Sequence, residues 1–165
     1  MNVKPLIVVI SGSASDSTLI QPVLEEFREE PVRLEYYIAS AHRSVDKLRD
    51  LVKRLEGEGA RVFIGVAGFA AHLPGVIAAM TQVPVYGVPV GNSDLKGVDA
   101  LYSMVMMPGG VPVACFGLGQ SGLKNAVLMA LSHLAHEVPA LRDRMMSRRK
   151  QQTDSINVAQ PQWRN

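Results

Sequence analysis

At 165 residues, 47% of them apolar and 19% charged, the chain is long enough to bury a core without staples and too apolar to be disordered. A formal charge of +2 gives no electrostatic ground for nucleic-acid binding, and the single cysteine, Cys115, excludes an internal disulfide or a cysteine zinc site. The most apolar stretch, 62–80, is interrupted by Gly65, Gly68, His72, Pro74 and Gly75, and the chain opens without a signal-peptide pattern, so a cytoplasmic protein with no membrane span is expected.

Residues 6–11 (LIVVIS) form an unbroken apolar run, as a strand covered on both faces should, and 12–17 follow as a loop. Residues 18–30 carry Leu19, Val23, Leu24 and Phe27 at helical spacing. A second strand is expected over 33–39, and a second helix over 44–59 with Val45, Leu48, Leu51, Val52 and Leu55 on one face. A third strand covers 61–67, and Pro74 opens a helix over 73–81, where its missing N–H is harmless. Fourth and fifth strands are placed at 83–88 and 111–118, with helices over 98–107 and 121–136 beside them. Residues 141–150 are again helical. One domain over 1–150 and a polar tail over 151–165 follow.

Such alternation of strand and helix argues for a parallel sheet with helices on both faces. Sheets of that kind bind ligands beyond the carboxyl ends of their strands, where strand order reverses. The loops leaving the first three strands therefore converge. The first, Gly12-Ser13-Ala14-Ser15-Asp16-Ser17, lacks the Lys-Ser/Thr ending of a P-loop and the G-x-G-x-x-G of a dinucleotide loop. Its backbone N–H groups and hydroxyls suit an anion; Ser15 or Asp16 equally suits a helix N-cap, and Asp16 suits two ribose hydroxyls. In the second loop His42 is the natural general acid/base, although a lone histidine at a strand end equally suits a structural hydrogen bond, and Arg43 presents a planar fork for phosphate. In the third, 68–75, His72 stands either against substrate or as a cap of the following helix.

The remaining candidates read as structural. Cys115 lies in an apolar run and is expected to be a buried small hydrophobe. His133 and His136 are expected at a surface or interface, and Met104, Met106 and Met107 in helix packing. Arg142, Arg144, Arg148, Arg149 and Lys150 read as a solvated helix face.

Six blocks in order carry a resemblance: GSASDS (12–17), SAHRS (40–44), GFAAHLPG (68–75), VPVYGVPV (83–90), GVDALYSMVMMPGGVPV (97–113) and GQSGLKNAVLMA (119–130). With RRKQQTD (148–154), they cover nearly the whole chain, which resembles the class I N5-carboxyaminoimidazole ribonucleotide mutase (PurE) family. The resemblance implies a flavodoxin-like three-layer α/β/α sandwich around a parallel sheet of about five strands, and a homo-octamer with active sites between subunits. It implies transfer of a carboxylate from N5 to C4 of the imidazole ribonucleotide, without metal, ATP or organic cofactor.

By position, Ser13 and Asp16 match the family's ribose- and phosphate-contacting residues. Ser40 and Arg43 match its second binding loop, and His42 its general acid/base. Gly68, Ala70, Ala71, His72 and Leu73 match the loop around the imidazole and the migrating carbon dioxide. Departures are Ser17 for the family's Trp, Phe69 for a second glycine, Met80 for Lys, Gly91 for Gln, and the run Gln120-Ser121-Gly122-Leu123. Two other readings fit the same residues: a paralogue carboxylating or decarboxylating another aromatic ribonucleotide, and a non-catalytic nucleotide-binding protein.

Overall fold

The computed structural model describes residues 4–156. Its elements run β1 (Leu6–Ser11), a 3-10 turn (Ala14–Asp16), α1 (Ser17–Glu26), β2 (Arg33–Ile38), α2 (Val45–Gly57), β3 (Ala60–Gly68) and α3 (Leu73–Ala78). Then follow β4 (Val85–Val90), α4 (Val98–Val105), β5 (Ala114–Cys115), α5 (Gly119–Leu134) and α6 (Pro139–Asp154). The five strands form one parallel sheet in the order β2-β1-β3-β4-β5.

Successive residues of the central strands point to opposite faces, and both faces are covered. Ile7 and Val9 of β1 with Val62, Ile64 and Val66 of β3 pack on one side against Ile20 of α1 and Val127 and Leu131 of α5. Leu6, Val8 and Ile10 with Phe63 pack on the other against Leu48 and Val52 of α2, Ile77 of α3 and Met104 of α4. This is the three-layer, flavodoxin-like sandwich that the sequence blocks imply. Gly65 belongs to the same packing: a Cβ there would press on the ring of Pro74 at 2.9 Å, so β3 and α3 approach more closely than any side chain permits.

Several boundaries differ from the sequence-based expectation. β4 starts and ends two residues later than expected. The fifth strand, expected over 111–118, is reduced to two residues paired with Tyr86 and Gly87 of β4. Val111 turns back on Pro108 through its N–H at 3.3 Å, and Pro112 has no N–H to give a ladder, so pairing begins only at Ala114. Cys115, expected to be buried, is half-buried on this edge strand. Met104 is fully buried, whereas Met106, expected in packing, is 76% exposed because α4 ends at Val105.

The final helix runs through Asp154, past the boundary at 150, while 157–165 of the expected tail lie outside the described residues. Its basic cluster is not simply a solvated face. Arg144 and Arg148 reach the buried carboxylate of Glu30, and the Arg148 guanidinium lies 4.6 Å over the Phe27 ring.

Candidate active site

β1 and β3 lie side by side, but the loop after β1 leads to a helix on one face of the sheet and the loop after β3 to a helix on the other. A crevice opens between them at the carboxyl ends of the strands, at the switch in strand order. The loop after β2 borders the same crevice. Together they enclose a cavity of about 380 Å³.

The first loop is set by hydroxyls. Ser11 Oγ donates to the Ser13 carbonyl at 2.8 Å and shares a 2.8 Å hydrogen bond with Tyr36 Oη on β2. Ser13 caps the 3-10 turn, its Oγ accepting from Ser15 N at 3.3 Å and from Ser15 Oγ at 2.8 Å. Asp16, the last residue of that turn, is only 7% exposed. Burial pushes its carboxyl above the ordinary value of 3.8, although the Ser13 backbone and the Ser15 side chain pull it back. A carboxylate held in this way gains from a ligand that brings it hydroxyl donors. Ser17 turns its hydroxyl onto the Ala14 carbonyl at 2.6 Å and does not line the cavity.

The second loop joins the first through Arg43. Ser40 Oγ accepts from Arg43 N at 3.2 Å and from Nε at 3.3 Å, and Nη2 donates to the Gly12 carbonyl at 2.8 Å. The guanidinium is thus oriented from both loops while most of its N–H groups stay available to an anion. Beside it, His42 Nε2 meets His72 Nδ1 of the third loop at 2.7 Å, with the ring planes at 88°. So short a contact needs an N–H on one of the facing nitrogens and a lone pair on the other, which couples the tautomers of the two rings.

The third loop is built around close approach. A Cβ on Gly68 would displace the Asn92 side chain, so glycine at the end of β3 leaves that amide its place in the cavity wall. Gly68, Ala70, His72 and the edge of Leu73 line the cavity, as do Ser13, Asp16, Ser40, His42 and Arg43. Ala71 does not: it is 1% exposed and packs in the core with Leu73 and Leu48. His133 and His136 are exposed and remote from the crevice, on α5 and the turn after it. Asn92, in the loop after β4, lines the cavity and was not singled out in the sequence. The rule that brings three loops to one sheet edge applies to the fourth strand as well, and would have found it.

Fold and crevice define the class: a doubly wound α/β protein with two imidazoles in contact and an oriented guanidinium at its switch point. A profile of the AIR carboxylase family matches residues 6–155. The chain is 44% identical over 150 residues to the N5-carboxyaminoimidazole ribonucleotide mutase of Escherichia coli (strain K12), covering 91% of this chain and 89% of that one. It is equally similar to the mutase of Haemophilus influenzae, at 44% over 91% of this chain and 92% of that one. The crystal structure of Treponema denticola PurE matches with a TM-score of 0.82 over 92% of this chain and 93% of that one; at 22% identity this is a likeness of fold. The chain belongs to the PurE family of AIR carboxylases and N5-carboxyaminoimidazole ribonucleotide mutases.

Proposed function

We propose that the protein is an N5-carboxyaminoimidazole ribonucleotide mutase, moving a carboxylate from the N5 amine of the ribonucleotide to C4 of its imidazole ring. The observation that carries the reading is the 2.7 Å contact of His42 with His72 in a cavity that also holds Asp16 and Arg43. Curated relatives at about this similarity bear that name.

Arg43 and the hydroxyls of Ser13 and Ser40 receive the phosphate, and Asp16 accepts hydrogen bonds from the ribose. The imidazole then lies toward His42 and the Gly68–His72 turn, where small side chains leave room for a flat ring and a molecule of carbon dioxide. The N5–carboxylate bond breaks first, giving aminoimidazole ribonucleotide and carbon dioxide, and N5 takes up a proton. C4 attacks the trapped carbon dioxide, and His42 removes the C4 proton to restore the aromatic ring. One proton leaves C4 and one arrives at N5, so the reaction is balanced without an external acid. Confinement supplies much of the rate, because the second bond forms before carbon dioxide can diffuse away or be hydrated.

The same reading makes the protein a cytoplasmic homo-octamer. An apolar stripe of α4, with Val98, Tyr102 and Val105 each at least half exposed, supports assembly of copies in solution. Light scattering on a sizing column measures it directly. A paralogue acting on another aromatic ribonucleotide is the second reading, favoured by the exposed Phe69 ring where the family carries glycine.

The test is direct turnover of N5-carboxyaminoimidazole ribonucleotide, followed by the ultraviolet change as the C4-carboxylate appears. His42→Asn is expected to bind the ribonucleotide with wild-type affinity and to lose at least a hundredfold in kcat. Retained turnover in that variant would overturn the assignment of His42. Wild-type protein that binds the ribonucleotide without turning it over would overturn the mutase reading itself.

A further inference from the structure

Phe69 occupies a backbone position that the fold would fill more easily with glycine. Its φ is +54°, and among the residues lining the cavity it alone adopts a left-handed conformation. Core packing does not offset that strain. The ring is 58% exposed and joins neither of the two apolar clusters that flank the sheet. Strain kept without a packing gain belongs to a site that uses the side chain.

The ring lines the cavity beside His42, His72 and Asn92. The rest of the lining is small or polar, except Leu73, which is 3% exposed and so presents little surface. Phe69 therefore supplies the one broad apolar face of the cavity. The polar side chains around it are matched to a phosphate, to hydroxyls and to a moving proton. None of them offers a surface for a flat unsaturated ring, which packs best against another flat apolar face.

We infer that Phe69 is a specificity-determining residue whose ring packs against the heteroaromatic ring of the substrate at the mouth of the cavity. The nature of that ring rests on the mutase reading. A stacking face of this kind reads the presence of a ring, while Asn92 and the imidazoles read what the ring carries. It also covers the imidazole on its solvent side, where a glycine would leave it open.

The test is calorimetric titration of the full-length protein with two probes, 4-carboxy-5-aminoimidazole ribonucleotide and ribose 5-phosphate. Wild type is compared with Phe69→Leu, Phe69→Trp and Phe69→Gly. Leucine keeps apolar bulk and loses the flat face, and tryptophan keeps the face. Glycine accepts φ +54° without strain, so that variant keeps its fold, as a thermal melt checks.

Leucine and glycine are expected to weaken ribonucleotide binding about tenfold, tryptophan to preserve it, and ribose 5-phosphate to bind all four proteins alike. Unchanged ribonucleotide affinity in the leucine and glycine variants overturns the inference, as does equal weakening of both probes. If wild type turns over the mutase substrate while Phe69 proves indifferent, stacking fails and the mutase reading stands. If wild type binds ribose 5-phosphate but not the aminoimidazole ribonucleotide, both fail together.

Discussion

Removing Arg148 asks whether α6 is held to the domain by charge or by apolar contact. Leu141 is the only fully buried residue of this helix, with Met145 partly buried beside it. Arg148 Nη2 and Nε donate to Glu30 Oε1 at 2.9 and 3.2 Å, and Nη1 donates to Glu26 Oε1 at 3.3 Å. Glu30 is 5% exposed, and its Oε2 has no hydrogen-bond partner among the described residues, facing Arg144 Nη1 at 3.6 Å. Truncating one partner of a buried ion pair leaves a desolvated charge and costs about 3–5 kcal/mol. Here the Arg148 side chain is 31% exposed and Arg144 remains, which reduces the expectation to roughly 2 kcal/mol. Loss of the guanidinium from the Phe27 ring adds about 0.5 kcal/mol. In urea denaturation Arg148→Ala should therefore lose about 2.5 kcal/mol, and Glu30→Gln in the same background should recover most of it, because no charge is then left buried. A loss below about 0.5 kcal/mol, the value of an exposed pair, would refute the reasoning. So would strict additivity of the two substitutions.

Asp16→Asn should stabilise the ligand-free protein at neutral pH while weakening ribonucleotide binding. Because burial raises the folded carboxyl above 3.8, the contribution of Asp16 to stability is fully present below that value and is lost as pH rises through the folded one. Denaturation at a series of pH values should thus show the variant gaining on wild type from about pH 4 upward; a gap that narrows with rising pH would be the contrary result. Gly122→Ala should destabilise by about 1–3 kcal/mol, since a Cβ there would collide with the Gly117 backbone carbonyl, which cannot swing aside as a side chain would. A melting temperature equal to wild type would show that the Gly117 turn yields.

The fold was legible wherever burial on two faces leaves a mark in composition. β1 and β4 are fully buried, and β3 nearly so, and their apolar runs announce them. β5 misled because Val111, Val113 and Phe116 are as apolar as a strand, while only hydrogen-bonding geometry at the sheet edge decides where pairing starts. α6 was legible as a helix but not in its docking, since Arg148 meets a carboxylate 118 residues away. Local charge pattern carries no information about so distant a partner. Ala71 illustrates the same limit within a motif: matching a block places the residue in the right loop but does not say which way its methyl points.

The site itself shows what topology adds to residue chemistry. His42 and His72 are 30 residues apart, and in sequence alone His42 reads as a general acid/base or a structural hydrogen-bonder and His72 as a substrate contact or a helix cap. They meet because β2 and β3 flank β1 in a parallel sheet and both lead to helices on the same face, so the two loops converge over the end of β1 whatever their separation in sequence. The same arrangement lets Arg43 reach across to the Gly12 carbonyl and hold the first loop against the second. Small residues at Gly12, Ala41, Gly68 and Ala70 then keep the meeting point hollow. The cavity of about 380 Å³ beside the two imidazoles is the confinement on which the proposed mechanism relies. Phe69 is the exception to the small lining, and its position at the mouth rather than the floor is compatible with that confinement.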